Sequence, residues 1–242
     1  MKPPAKRARP VASHPTSRGK SETPPRENGA DALIRAAREL LVERGPGYVT
    51  LTAVAERARV NPALVKYHYG SKFELFSATL MHVLDEWAPL FVAIVKEEKP
   101  TAERLRARVE LLIDLHCKDP NVYRLMQEQM LLGDASPASQ RFREYMTLAL
   151  AMNRKLLTQG VDRNELRAAS PVHVNMLLLG MAQYFATARG LMEEFAGIRY
   201  TPEFIAQYKR EAVDMILHGL LAPAETRGKR RREARGDNRR TN

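Results

Sequence analysis

The residues best suited to chemistry lie between Thr50 and Lys72, in the run TLTAVAERARVNPALVKYHYGSK. Residues 57–73 contain Arg57, Arg59, Lys66 and Lys72 and no acid, a local charge that attracts phosphate. Apolar spacing predicts a short helix over 52–58 with Thr50 as a possible cap, a turn at Arg59-Val60, and a second helix opened by Asn61-Pro62 and ending near Gly70. Asn accepts free amide hydrogens at a helix start, and proline at the first helical position lacks the amide that would go unpaired. Two short helices joined by a tight turn form a helix-turn-helix, whose second helix enters a DNA major groove. Helical geometry sends Val54, Ala55, Ala58, Val60, Val65 and Tyr69 inward. Pro62, Ala63 and Lys66 face outward, with Leu64 and Tyr67 at the edges. Exposed Ala and Leu suit thymine methyl groups, and Lys66 suits guanine O6/N7 or a phosphate. Tyr67, His68 and Lys72 cluster where the DNA backbone would pass, and Thr50 with the amides at the first helix start could hold another phosphate.

Other chemistry is weakly represented. The single cysteine, Cys117, excludes an internal disulfide and zinc frameworks built on paired cysteines. His82 shares helical turns with Asp85-Glu86, which makes a metal conceivable, but isolated helical histidines and carboxylates are mostly surface or packing residues. No glycine-rich phosphate loop, His-x-x-x-His pair or nucleophile motif occurs. The expectation is a non-enzyme with no cofactor and no metal.

The positioning elements follow from the same patterning. Ile34, Ala37 and Leu41, flanked by Leu33 and Leu40, give an amphipathic helix over 31–44, stopped by Gly45-Pro46-Gly47. Ser71 should cap a long helix over 72–97, with Glu74 at the capping-box position and a kink at Pro89. Further helices are predicted over 101–117, 120–132, 137–159, 171–195 and 202–221. Asp119-Pro120, Ser136-Pro137, Ser170-Pro171 and Thr201-Pro202 punctuate them. No strand pattern of any length stands out, so the expected fold is all-α: an N-terminal three-helix domain joined to a helical bundle, about nine helices in all.

Of the net charge of +11, the tails carry most. Residues 1–29 hold seven Lys/Arg against two Glu, and residues 222–242 hold eight against three acids. Both are expected to be disordered basic segments, flanking a DNA-binding unit over 30–76 and a bundle over 77–221. The uncharged stretch 168–188 is interrupted by Ser170, His173, Asn175, Gln183 and Thr187, so a buried helix is expected rather than a membrane span. Without an apolar leader in residues 1–29, the expected location is the cytoplasm of a bacterium, with no membrane partner.

The run as a whole resembles the DNA-binding domain of the TetR/AcrR family of bacterial repressors. The matching residues are Gly47-Tyr48, Thr50, Ala55, Ala58, Val60, Val65, Tyr67-His68-Tyr69, Ser71-Lys72 and Glu74-Leu75. The resemblance implies base contacts from Thr52, Pro62, Ala63, Leu64 and Lys66, and phosphate contacts from Thr50, Tyr67, His68 and Lys72. It departs at Arg59, where glycine is usual, at Asn61, where serine is usual, and at Lys66, where many members carry an aromatic. Arg59 either accepts a positive φ or alters the turn.

The resemblance also implies a homodimer on double-stranded operator DNA and a small-molecule effector within the bundle. Lining candidates are His82, Trp87, Arg108, His116, Met126, Met130, Tyr145 and Met152. Two apolar stripes on the last helices, containing Met181, Tyr184 and Phe185 and then Tyr208, Ala212, Met215 and Ile216, are expected to pair two copies or to fill the monomer core. The leading expectation is a ligand-released repressor. The rivals are an activator of the same family, a nonspecific DNA-binding protein driven by the tails, and a small-molecule-binding bundle.

Overall fold

The computed structural model describes residues 29–131 and 137–222. Those residues form ten α-helices: α1 (Gly29–Arg44), α2 (Leu51–Ala58), α3 (Pro62–Tyr69), α4 (Lys72–Lys96), α5 (Thr101–Lys118), α6 (Val122–Leu131), α7 (Pro137–Asp162), α8 (Pro171–Thr187), α9 (Arg189–Phe195) and α10 (Pro202–Leu220). A single 3₁₀ turn, Pro46–Tyr48, joins α1 to α2. Apart from one isolated antiparallel bridge between Leu166 and Leu221, the described residues contain no β-structure. Of the tails expected over 1–29 and 222–242, residues 1–28 and 223–242 lie outside the described residues, as does the Ser136 cap.

Caps set most of the boundaries. Thr50 Oγ1 accepts from the Ala53 amide at 3.1 Å, Asn61 Oδ1 from Ala63 at 2.8 Å, and Ser71 Oγ from Glu74 at 3.1 Å. Thr201 caps α10 in the same way through the Phe204 amide. Each removes one of the unpaired donors at a helix start. The Asp119-Pro120 pair departs from expectation. Helix α6 begins only at Val122, and the Asp119 carboxylate turns away to meet Arg38. The helix expected over 171–195 is broken at Ala188 into α8 and α9. Thr187 Oγ1 donates back to the Gln183 carbonyl at 2.9 Å, a local bond that competes with the ladder, and Gly190 weakens the next turn.

The small unit packs α1 against α2, α3 and α4, burying Leu33, Leu40, Val54, Ala55 and Val65. In the bundle, α4 lies against α5, α6 and α7, while α5 lies against α7, α8 and α10. Helix α4 is the one described helix long and apolar enough to cross a membrane. Its apolar positions, from Leu75 through Leu80, Leu84 and Trp87 to Phe91, are buried within this protein. It runs from the small unit into the bundle, with Pro89 accommodated inside it.

Candidate DNA-binding face and bundle cavity

Helix α2 ends with Arg59 in the left-handed region at φ 56°, its amide donating to the Ala55 and Glu56 carbonyls. The turn therefore keeps the geometry that glycine usually supplies, at a cost of about 1–2 kcal/mol for a residue with a Cβ. Arg59→Gly should stabilise the fold by about 0.5–1 kcal/mol in urea unfolding, the gain being trimmed by glycine's larger unfolded-state entropy. Unchanged or lower stability would show that the Arg59 side chain compensates.

Helix α3 is held from behind. Val65 is fully buried, and the Tyr69 hydroxyl donates to the Ala30 carbonyl at 3.0 Å, tying α3 to the start of α1. Pro62, Ala63, Leu64, Lys66, Tyr67 and His68 are all exposed, Tyr67 by 82%. Thr50 and Thr52 are exposed on the adjoining start of α2. The Tyr67 and His68 rings meet edge to face at 5.1 Å, and Lys72 Nζ lies 5.2 Å from the centre of the Phe76 ring. Of the nine residues expected on the DNA side, eight are exposed and Lys72 is half-buried, and no acid occurs between 57 and 73. Arg57 differs from the sequence expectation. Its guanidinium pairs with Glu43 at 2.8 and 2.7 Å and with Glu39 at 3.2 Å, bracing α2 against α1. It is part of the scaffold, which leaves Arg59, Lys66 and Lys72 as the cations of this segment.

In the bundle, a cavity of about 250 Å³ lies between α4, α5, α6, α7 and α8. Trp87, Arg108, His116, Met126 and Tyr145 line it, as expected. His82 and Met152 do not. His82 is exposed on the outer face of α4, 3.3 Å from Glu86. Met152 lies half-buried on α7 outside the lining. The side chain of Met130 is outside the described residues. Residues not foreseen as lining include Phe91, Phe142, Met146 and Asn175. Asn175 carried a signal, being a polar residue inside the otherwise apolar VNMLLLGMA run. No three His, Cys, Asp or Glu side chains among the described residues cluster as a metal site.

His116 Nδ1 is 2.8 Å from the Leu112 carbonyl, and its ring lies 5.3 Å from that of Trp87. A carbonyl only accepts, so Nδ1 carries the proton. Burial pushes the His116 pKa down, outweighing the Leu112 bond and the Asp119 charge. The unfolded chain therefore takes up this proton first, near the ordinary histidine value of about 6.5. His116 contributes stability above that pH, and the contribution is lost as pH falls towards the depressed folded value. Chemical denaturation at pH 7 and pH 5 should show a smaller loss in His116→Gln than in the parent. An equal or larger loss would contradict a buried neutral imidazole.

The two helices expected to pair copies divide into an inner and an outer face. Phe185 and Ala212 lie inside the monomer, Phe185 stacked on Tyr208 at 3.8 Å, which corrects their expected place on the pairing face. Tyr208 is half-buried and donates its hydroxyl to the Met181 carbonyl at 2.9 Å, and Ile216 is also half-buried. Exposed on the opposite face are Met176, Leu177, Tyr184 and Met215, the last by 74%. A methyl group added at Gly180 would meet nothing within 4 Å.

Comparison with known proteins agrees with this arrangement. Residues 33–79 match the model for bacterial regulatory proteins of the tetR family, and residues 102–216 match the model for the tetracyclin repressor-like C-terminal domain. The transcriptional activator FasR of Mycolicibacterium smegmatis is 30% identical over 116 residues, 48% of this chain and 53% of FasR. The transcriptional repressor Rv3405c of Mycobacterium tuberculosis is 41% identical over 58 residues, 24% of this chain and 31% of that protein. The matches thus span about half or less of these relatives' own length. The crystal structure of AibR with isovaleryl coenzyme A and operator DNA superposes with a TM-score of 0.61 at 17% identity, covering 78% of this chain and 97% of AibR. A helix-turn-helix and a repressor-type bundle, matched in order along one chain with an all-helical fold between them, place this protein in the TetR family of bacterial transcriptional regulators.

Proposed function

We propose that the protein is a homodimeric, sequence-specific repressor, released from operator DNA by a small molecule bound in the bundle cavity. One observation carries this reading: α3 is anchored by Val65 and Tyr69 while Ala63, Leu64, Lys66 and Tyr67 are exposed within a segment, 57–73, that holds no acid. Pro62, Ala63, Leu64, Lys66 and Thr52 then read base edges, and Thr50, Tyr67, His68 and Lys72 hold phosphates. One short helix reads few bases, so two copies are needed to place half-sites on one face of DNA. The exposed apolar stripe of Met176, Leu177 and Tyr184 on α8 and Met215 on α10 is the surface to pair them. Such a regulator works in the cytoplasm, where the DNA is.

The route from cavity to DNA runs through one clamp. Arg38 of α1 meets Asp119 with two bonds of 2.7 Å and Glu86 of α4 with two of 2.9 Å. The Asn121 amide donates to the Leu41 carbonyl at the end of α1 at 2.8 Å. Asp119 and Asn121 lie in the α5–α6 turn, directly after His116 of the cavity. A ligand that favours a different placement of this turn shifts α1, and with it the spacing of the two recognition helices. AibR, which has been crystallised with both an acyl coenzyme A and operator DNA, supports a fold of this kind serving both ligands.

Gel shifts on the DNA upstream of the protein's own gene test the reading. A chain trimmed to residues 29–222 should retain sequence preference. Loss of nearly all affinity on trimming would favour nonspecific binding by the tails.

A further inference from the structure

Arg108 is buried in the wall of the bundle cavity, only 4% exposed. Among the described residues no acid pairs with it. Its Nε has no hydrogen-bond acceptor. Nη2 reaches only the Asn175 carbonyl oxygen, at 3.5 Å, and the guanidinium lies 5.1 Å from the centre of the Phe91 ring. Arg104, one turn earlier on the same helix, also has an Nε without an acceptor, yet its terminal nitrogens are held by the Val95 and Glu97 carbonyls and Gln159 at 3.0, 3.3 and 2.7 Å. Burying a charge without a partner is strongly unfavourable, and Arg108 lies one turn of α5 further on with the cavity in front of it.

A second donor in the same cavity is also unpaired. Trp87 Nε1 is buried and has no partner. His116, Gln127, Tyr145 and Asn175 complete the polar part of the lining, and most of the rest is apolar, including Phe91, Phe142 and Met146. The wall is therefore largely apolar, carries two unpaired donors in Trp87 Nε1 and Arg108 Nε, and holds a positive charge. Burial draws the Arg108 pKa down to about 10, which leaves it cationic at neutral pH. A planar guanidinium fork in a low-dielectric pocket is matched by a planar or tetrahedral anion taking two parallel hydrogen bonds.

Resting on the reading of this cavity as the effector site, we infer that the effector is a compact organic acid, its carboxylate held by Arg108 with Trp87 Nε1 as a further donor, and its apolar body packed against Phe91, Phe142 and Met146. The cavity of about 250 Å³ falls just below the usual range of sites for drug-sized ligands, so the acid is small. The charge belongs at the acid end itself. A thioester carbonyl in this position would leave the guanidinium without a counter-ion.

Trp87 is the single tryptophan of the chain, so intrinsic fluorescence reports on this cavity alone. The probes are 4-phenylbutyrate and its neutral isostere 4-phenylbutyramide, titrated against the full chain by Trp87 fluorescence and by calorimetry. The acid should bind at least tenfold more tightly than the amide. Arg108→Met should bring the ratio to about one while leaving amide binding in place, and Arg108→Gln should do the same with a polar side chain. Without probe, Arg108→Met should melt at or above the parent temperature, because it removes an unpaired buried charge. Equal affinity for acid and amide in the parent, binding of neither, or a preference that survives in both variants would overturn the inference. Footprinting of the probe-free protein separates the two levels. Protected DNA with no acid preference removes only the assignment of the ligand, whereas no protected DNA removes the regulator reading itself.

Discussion

Changing Tyr67 and Lys72 together to alanine should lower operator affinity by about 10³–10⁴-fold without unfolding the protein. Tyr67 is 82% exposed and Lys72 partly so, and neither forms the core of the small unit. A hydrogen bond to a charged group contributes about 1.5–3 kcal/mol when made to a phosphate. Two such bonds per half-site and two half-sites give about 6 kcal/mol at the weak end of that range, about 10⁴-fold, and competition from solvent at these exposed positions trims the loss to the stated 10³–10⁴-fold. Lys72→Ala alone should also flatten the dependence of log K on log salt by about 2, because each of two half-sites stops neutralising one phosphate. Tyr67→Phe retains the ring and loses only the hydroxyl, so its affinity should fall between parent and double variant. Fluorescence anisotropy at four salt concentrations checks all three variants. An unchanged affinity and slope for the double variant would move the DNA away from this face.

The second large effect concerns the clamp between the two units. Asp119 is buried at 3% exposure and Arg38 is largely covered at 17% for its side chain. Burial alone would raise the Glu86 carboxyl, but the Arg38 guanidinium beside it, with Lys118 and His82 nearby, outweighs burial and lowers it. Arg38→Ala leaves Asp119 buried and unpaired, which should cost about 3 kcal/mol and lower the melting temperature by about 6–12 °C. Replacing both partners, Arg38→Met with Asp119→Leu, removes the charges together and should recover most of that stability. The double variant should nevertheless bind DNA with a weakened response to ligand, because the turn following His116 then holds α1 through the Asn121 bond without the Arg38 pair. Full recovery of ligand response along with stability would show that the pair is structural only.

The helix-turn-helix was legible in the sequence because its determinants are local. Thr50, Asn61 and Ser71 each cap a helix through a bond reaching two or three residues along the chain, and the inward Val65 and outward Lys66 follow from helical period. The bundle was less legible because its determinants are not local. His82 and Trp87 are five residues apart on α4, yet one faces solvent and the other the cavity, which depends on where α5 and α7 lie. Phe185 and Tyr184 are adjacent, one stacked on Tyr208 and the other exposed. An apolar stripe alone does not tell the core-facing side from the outer side. The pairing of Arg57 with Glu43 across 14 residues and of Arg38 with Asp119 across 81 likewise left no periodic trace. Counting free cations in the sequence therefore overstated the charge available to DNA.

Selection of binding sites from a random duplex pool, using the full chain at moderate salt, bears most directly on the claim that α3 reads sequence. The enriched DNA should be an inverted repeat whose half-site centres lie about 34–36 Å apart or a multiple of that distance, and exchanging Lys66 for alanine should relax the preference at the same position in each half. A pool that emerges with no consensus, bound equally well by the parent and by a chain lacking the outward residues of α3, would contradict it.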